Sequence, residues 1–110
     1  MKFEVQILGN TSPFPSKGRL PTCQVLNINE RLYLMDCGEG AQIRMNEYRI
    51  KRSKIDHIFI SHLHGDHYFG LLGLLGSYRV NRRETPLHIY CPKGLDQLIA
   101  LEAKISLAGD

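Results

Sequence analysis

Apolar and polar residues alternate at the start of the chain. Phe3, Val5 and Ile7 are separated by single polar residues. This period of two is typical of a strand with one buried face. Two further apolar segments, 22–28 and 32–36, are joined by a short polar link and predict a β-hairpin.

The later segments predict helices interleaved with strands. A helix is expected over 41–48, and the nearly continuous apolar residues 55–60 predict a strand buried on both faces. Residues 68–78 predict a buried helix, residues 87–91 a strand, and a helix follows from Leu95. Three glycines in the buried helix predict the close approach of another backbone: Gly70, Gly73 and Gly76. Strands mixed with helices around one core predict an α/β fold with a layered sheet.

Composition narrows the class of protein. The chain has 110 residues, 43% of them hydrophobic, a formal charge of +3 and a pI of about 8.9, which suits one globular domain or part of one. Cys23, Cys37 and Cys91 are odd in number and widely spaced, so we expect buried thiols in a reducing compartment. Since no segment is apolar enough for a signal peptide or a membrane span, the sequence predicts a cytoplasmic protein.

Three histidines and an aspartate lie within six residues, directly after the strand predicted at 55–60. His62 and His64 are two residues apart, so on an extended segment both side chains leave on the same side and can meet one metal ion. If the chain turns at Gly65, then Asp66 and His67 can address a second ion nearby. Imidazole and carboxylate are usual ligands of zinc, and the spacing therefore predicts a metal site.

Two metal ions held close together can assist a displacement at phosphorus. A rigid strand before the loop would fix the geometry that such chemistry needs. His57 and His88 lie within strand patterns and are left out of the site. From spacing alone, Asp36 is a turn residue rather than a partner that orients a ligand histidine.

Two basic groups stand apart from the histidines. Residues 49–54 carry four basic side chains, and Arg79, Arg82 and Arg83 form the second group. Each is explained either as solvated surface or as a surface that faces phosphates.

Several motifs resemble a known superfamily. Residues 62–67 match the His-x-His-x-Asp-His signature of the metallo-β-lactamase superfamily. Residues 36–42 (Asp-Cys-Gly-Glu-Gly-Ala-Gln) and residues 58–71 closely resemble the ribonuclease Z family of tRNA 3′-processing endonucleases. The resemblance extends to residues 90–94. It implies the N-terminal portion of an αββα sandwich, a mixed sheet with flanking helices, with residues 1–110 forming part of a single domain.

The resemblance also implies the roles of individual residues. It implies a site for two zinc ions, with His62 and His64 on one ion and Asp66 and His67 on the other. Asp66 is the implied proton acceptor for the attacking water. The resemblance also implies that Asp36 orients a metal ligand and is not merely a turn residue.

The implied reaction is hydrolysis of precursor tRNA just after the acceptor stem. Its products are a tRNA with a 3′-hydroxyl and a trailer with a 5′-phosphate, and the enzyme is implied to be a homodimer. Lys17 and Arg19 resemble a Pro-x-Lys-x-Arg segment near the RNA 3′ end, although Leu20 follows where the family often has asparagine. The two basic groups would attract the RNA backbone.

Family members are longer and carry further metal ligands and a tRNA-gripping arm, which cannot be assigned after His67. We therefore expect the chain to be an N-terminal segment that binds metal weakly and is inactive alone. Two alternatives stay open: another hydrolase of the same fold, acting on thioesters or lactams, and a non-catalytic metal-binding module.

Overall fold

The structure is a computed structural model that describes residues 1–10 and 20–108. The predicted RNA contacts Lys17 and Arg19 lie outside the described residues. The regular elements are β1 (Phe3–Gly9), β2 (Cys23–Ile28), β3 (Arg31–Met35), α1 (Ala41–Glu47), β4 (Ile55–Phe59), α2 (Leu71–Val80), β5 (His88–Tyr90) and α3 (Leu95–Ala108). Short 3₁₀ turns at Arg52–Lys54 and Gly65–His67 flank β4.

The five strands form one mixed sheet in the order β1-β2-β3-β4-β5. The first three strands are antiparallel, whereas β3, β4 and β5 are parallel to one another. This confirms the mixed sheet with helices that the sequence predicted. Because parallel strands end at the same edge of a sheet, the segments after β3 and β4 meet at one place.

The predicted hairpin is confirmed between β2 and β3. Asn29 and Glu30 link the strands with φ of 53° and 70°. Positive φ at both positions is the requirement of a type I′ turn, whose twist matches that of the strands. The backbone amide of Glu30 also donates to the Asn27 side-chain oxygen at 2.9 Å, which holds the turn in place.

The core lies between one face of the sheet and the helices. Leu34 and Ile58 are neighbours on β3 and β4 and are fully buried. Met45 of α1 and Leu71 and Leu74 of α2 belong to the same cluster and are also fully buried. The apolar positions of both helices therefore cover a single side of the sheet.

The opposite face of the sheet is open in the described part of the chain, so one prediction is wrong. Phe3, Val5 and Ile7 are 62%, 52% and 53% exposed, although their alternation predicted a buried face. The register aligns Val5 with Leu26, and the latter with Tyr33. All of these side chains lie on the face away from the helices, which explains the exposure.

The prediction that β4 is buried on both faces is also wrong, because alternate side chains of β4 lie on the same open face. His57 and Phe59 lie on the open face and are only half-buried, so the strand is not buried on both faces. Aromatic side chains shield one another there: His57 stacks on Tyr33 and His88 with ring centroids 5.5 and 5.0 Å apart. Phe59 stacks on Tyr90 at 4.7 Å. His57 is thus a packed side chain, as expected.

Helix α2 begins at Leu71, three residues later than predicted. Of the three glycines in the predicted segment, only Gly70, which directly precedes α2, meets another backbone, because a Cβ there would lie 2.2 Å from the Gly38 carbonyl oxygen. Gly73 faces a side chain and Gly76 faces open space. The other predicted elements are present, with the last strand shortened to three residues.

The three cysteines are free thiols; Cys23 and Cys37 are buried as expected, whereas Cys91 is only half-buried. Within the described residues, no helix combines the length and the apolar character needed to cross a membrane.

Gly70, at the start of α2, is crowded by a backbone oxygen, whereas Gly76, inside α2, faces open space, so the two provide a matched pair. Gly70→Ala should destabilise the chain by about 1–3 kcal/mol, because the new methyl group overlaps a backbone oxygen. Gly76→Ala should stabilise it by about 0.5–1 kcal/mol by removing glycine from a helix interior. Urea unfolding followed by circular dichroism measures both, and equal effects would contradict the packing described.

The buried thiols predict a loss of stability at high pH. Burial raises the pKa of Cys23 to about 12 and also raises that of Cys37. In the unfolded chain the thiol pKa is about 8.5. Above that pH the unfolded state releases protons that the folded state retains, so the free energy of unfolding falls.

Urea unfolding at pH 8 and pH 10 tests this. The fall should approach about 1.4 kcal/mol per pH unit for each fully buried thiol. Cys23→Ala should reduce the slope, and Cys91→Ala, which removes a half-buried thiol whose pKa burial raises less, should reduce it less and is the comparison. An unchanged slope in Cys23→Ala would show that Cys23 is not a source of the stability loss at high pH.

Candidate metal centre

The predicted metal loop begins where β4 ends, beside the end of β3. The backbone amide of Asp36 donates to the Phe59 carbonyl oxygen at 2.7 Å. This extends the pairing of the two parallel strands by one residue. It brings Asp36, which follows β3, next to Ser61, which follows β4.

Asp36 is a buried carboxylate, 8% exposed, with φ of 61°. Its Oδ1 accepts from the Ser61 backbone amide at 2.8 Å, and the Ser61 hydroxyl lies 3.0 and 2.8 Å from its two oxygens. Its Oδ2 lies 2.9 Å from His67 Nδ1. A buried carboxylate is costly unless its oxygens accept hydrogen bonds, and these partners provide them.

This contact fixes the tautomer of the neutral His67 ring. A carboxylate only accepts hydrogen bonds, so the bond to Asp36 places a proton on Nδ1. Nε2 then carries the free lone pair and lies 3.6 Å from Asp66 Oδ2. A histidine held by a carboxylate through one nitrogen is the usual arrangement of a metal ligand.

The backbone holds the loop against the end of β3. The amide of Cys37 donates to the His67 carbonyl oxygen at 2.8 Å, and the amide of Gly70 donates to the Cys37 carbonyl oxygen at 2.9 Å. The chain turns at Gly65, as the metal hypothesis required. The Phe69 ring lies against Gly65, at 2.1 Å from where a Cβ would be, so a larger residue there would displace that ring.

The two remaining histidines are exposed at the same edge. His62 Nδ1 lies 2.9 Å from the Ser61 hydroxyl. The His62 ring is 4.7 Å from that of His67 and 6.2 Å from that of His64, measured between centroids. The fold therefore brings these three predicted ligands to one edge of the sheet, with Asp66 in the turn beside His67.

The donor set suits zinc, since it comprises neutral imidazoles and a carboxylate. In residues 1–10 and 20–108, however, no group of three or more histidine, cysteine or acidic side chains converges on a common point as metal ligands do. His62, His64, Asp66 and His67 remain predicted ligands.

Ser61 is a residue to which the sequence pattern assigned no role. Its hydroxyl contacts Asp36 and also lies 3.2 Å from His67 Nδ1 and 2.9 Å from His62 Nδ1. One hydroxyl therefore joins the buried carboxylate to two predicted ligands. Its position between a strand end and the first histidine was the signal available in the sequence.

The fold has solved relatives. The metallo-β-lactamase fold protein YhfI from Bacillus subtilis is 23% identical over 84% of this chain and 39% of its own, with a TM-score of 0.77. Human tRNase Z, short form, is 39% identical over 93% of this chain and 40% of its own, with a TM-score of 0.86. The chain thus has part of the metallo-β-lactamase fold.

A family model described as Anti-Pycsar protein Apyc1 matches residues 3–105, and the chain belongs to that family. Its curated relatives are named Ribonuclease Z, which confirms the resemblance seen in the motifs. The protein of Bacteroides thetaiotaomicron is 52% identical over 99 residues, 90% of this chain and 31% of its own length. That of Porphyromonas gingivalis is 39% identical over 98 residues. The chain spans about a third of these relatives.

Asp36→Asn isolates the contribution of the carboxylate. Asparagine keeps the shape and tolerates the positive φ, but it has one acceptor oxygen in place of two. We expect a loss of about 1.5–3 kcal/mol in the free energy of unfolding. Zinc affinity of the chain should fall about 10–100-fold, as for other residues that orient metal ligands.

Urea unfolding and zinc calorimetry measure the two effects. Asp96→Asn is the control, since exposed Asp96 accepts a single hydrogen bond from the Gly94 amide. Equal zinc affinity in Asp36→Asn and the unmodified chain would rule out an orienting role for Asp36.

Proposed function

We propose that this chain supplies the N-terminal part of a zinc-dependent endoribonuclease that cleaves precursor tRNA at its 3′ side. The products would be a tRNA with a 3′-hydroxyl and a trailer with a 5′-phosphate. The observation that carries the proposal is the Asp36–His67 hydrogen bond at 2.9 Å, which orients a predicted metal ligand at the strand edge. The names of the curated relatives and the 39% identity to human tRNase Z support the choice of substrate.

The proposed ligands are His62 and His64 for one zinc ion and Asp66 and His67 for the other. Zinc, when bound, supplies Lewis acidity to such a site. Asp36 keeps the proton of His67 on Nδ1, so that Nε2 presents its lone pair. Asp66 is proposed to accept the proton of the attacking water.

The activity is proposed for a polypeptide of the family's length, since this chain spans 31% of the Bacteroides thetaiotaomicron ribonuclease Z. Two proposed ligands for each zinc ion leave more positions open than catalysis needs. We therefore expect the 110-residue chain alone to bind zinc weakly and to lack nuclease activity. The complete enzyme is proposed to be a cytoplasmic homodimer, with residues 1–110 forming part of one domain.

A chimera tests the proposal. The matching segment of the Bacteroides thetaiotaomicron ribonuclease Z is replaced by residues 3–105 of this chain, and cleavage of a precursor tRNA is measured. We expect cleavage to be retained, and Asp66→Ala in the chimera to lower it about 10²–10⁴-fold. Binding of tRNA should change little, because one carboxylate adds nothing to the attraction for phosphates.

Asp96→Ala is the matched control in the chimera, because it removes an exposed aspartate of α3, outside the histidine loop. A folded chimera that hydrolyses a thioester or a lactam but not precursor tRNA would favour the other hydrolases of this fold. Lost tRNA binding in Asp66→Ala, with normal turnover of bound RNA, would argue against a catalytic Asp66.

A further inference from the structure

The two basic groups of the sequence converge in space, although about thirty residues separate them. A cavity of 370 Å³ lies at the end of β4 that is remote from the histidines. Arg52 reaches it from the 3₁₀ turn before β4, and Arg82 and Arg83 reach it from the end of α2. With Glu84 as the one acidic residue among those that line it, the lining carries a formal charge of +2, from three arginines and one glutamate.

Arg83 forms a fixed wall of this cavity. Its side chain is 9% exposed and lies 2.5 Å from Asp56 Oδ1. It also donates to the carbonyl oxygens of Thr85 and Pro86 at 3.0 and 3.2 Å, and its guanidinium stacks over the Tyr78 ring at 4.7 Å. The charge of Arg83 is thus largely committed, and the covered Tyr78 face is not free to stack on a base.

Arg52 and Arg82 supply the uncommitted charge. Arg52 Nη1 donates to the neutral Gln42 side chain at 3.0 Å. In the described part of the chain, neither Arg52 nor Arg82 has an acidic oxygen within the 4.0 Å of an ion pair. The Tyr78 hydroxyl donates to the Arg52 carbonyl oxygen at 2.7 Å and fixes the position of that residue.

Arg82 occupies a position where glycine is favoured. Its φ is 54°, and its amide donates to the Arg79 carbonyl oxygen while that of Arg83 donates to Tyr78, both at 3.0 Å. These two bonds cap the last carbonyls of α2 in a Schellman motif. The partial negative charge of a helix end favours a basic side chain there, but it does not explain Arg52, which comes from a separate element.

We propose that this arginine-lined cavity binds a phosphate group, at a site separate from the histidine loop. A guanidinium presents a planar pair of donors that matches phosphate oxygens. A volume of 370 Å³ lies in the range of small-ligand sites. Since β4 spans roughly 16 Å between the two places, one phosphate cannot serve both. The phosphate belongs either to a free nucleotide or to an RNA backbone.

The chain offers a matched pair of variants. Arg49 ends α1 as Arg82 ends α2: its φ is 56°, and amides 49 and 50 cap carbonyls 46 and 45. Arg82→Gly and Arg49→Gly therefore remove the same charge from the same backbone geometry. Glycine is favoured at both positions, so both variants should fold. Arg49 does not line the cavity.

The isotope-labelled chain is titrated with inorganic phosphate at constant ionic strength while the arginine side-chain NMR signals are followed. We expect shifts at Arg52 and Arg82. Affinity should fall about tenfold in Arg82→Gly and stay within about twofold in Arg49→Gly. Glu84→Gln should raise it about threefold, because an acidic group leaves the lining.

Adenosine 5′-monophosphate and a short single-stranded RNA identify the source of the phosphate. If RNA binds, is weakened by Arg82→Gly and is displaced by inorganic phosphate, the site takes a backbone phosphate. If only the mononucleotide binds, is weakened by Arg82→Gly and is displaced by inorganic phosphate, the site takes a free nucleotide. Equal weakening in Arg82→Gly and Arg49→Gly, or no shift at Arg52 and Arg82, would overturn the proposal. These results do not depend on nuclease activity.

Discussion

The site depends on one buried carboxylate. Asp36 joins the end of β3 to the start of the histidine loop through the amide and hydroxyl of Ser61, and it holds the His67 ring through Nδ1. It is the one buried charged residue among those described. Removing its partners would leave a buried charge unsatisfied, at a cost of several kcal/mol, whereas exposed hydrogen bonds contribute about 1 kcal/mol. The sheet edge therefore positions the loop, whose own turn is closed by the His67 amide on the His64 carbonyl oxygen.

That dependence explains what the sequence could predict of the site. Three histidines and an aspartate at close spacing indicate metal chemistry because few other roles require them together. The contribution of Ser61 could not be derived from spacing, since it arises where two parallel strands end side by side. For the same reason Asp36 looked like an ordinary turn residue until the family resemblance was considered. Contacts between segments 25 residues apart are set by strand order, which local patterns do not encode.

The fold shows the same limit. Local patterns predicted the five strands and three helices of the described residues: alternation in β1 and β5, apolar segments in β4 and α2, and helical spacing in α3. In β1 the alternation did not indicate which set of side chains is buried. Phe3, Val5 and Ile7 point to the face that the helices do not cover. Alternation in a strand shows that its two faces differ in polarity. The register with β2 decides which of them faces the helices. The late start of α2 has a similar origin, since the amides of Tyr68 and Phe69 donate to the Gly65 carbonyl oxygen and that of Gly70 donates to Cys37.

The two ends of β4 have opposite chemistry, and this follows from strand direction. The carboxyl end leads into the histidine loop, where Asp36 orients the imidazole of His67. The amino end follows the basic residues 49–54 and meets the end of α2, where arginines gather around a cavity. Because α2 runs antiparallel to β4, the helix that starts beside the metal loop must end beside Arg52. A single strand–helix unit thus separates the predicted metal ligands from the proposed phosphate site by roughly 16 Å.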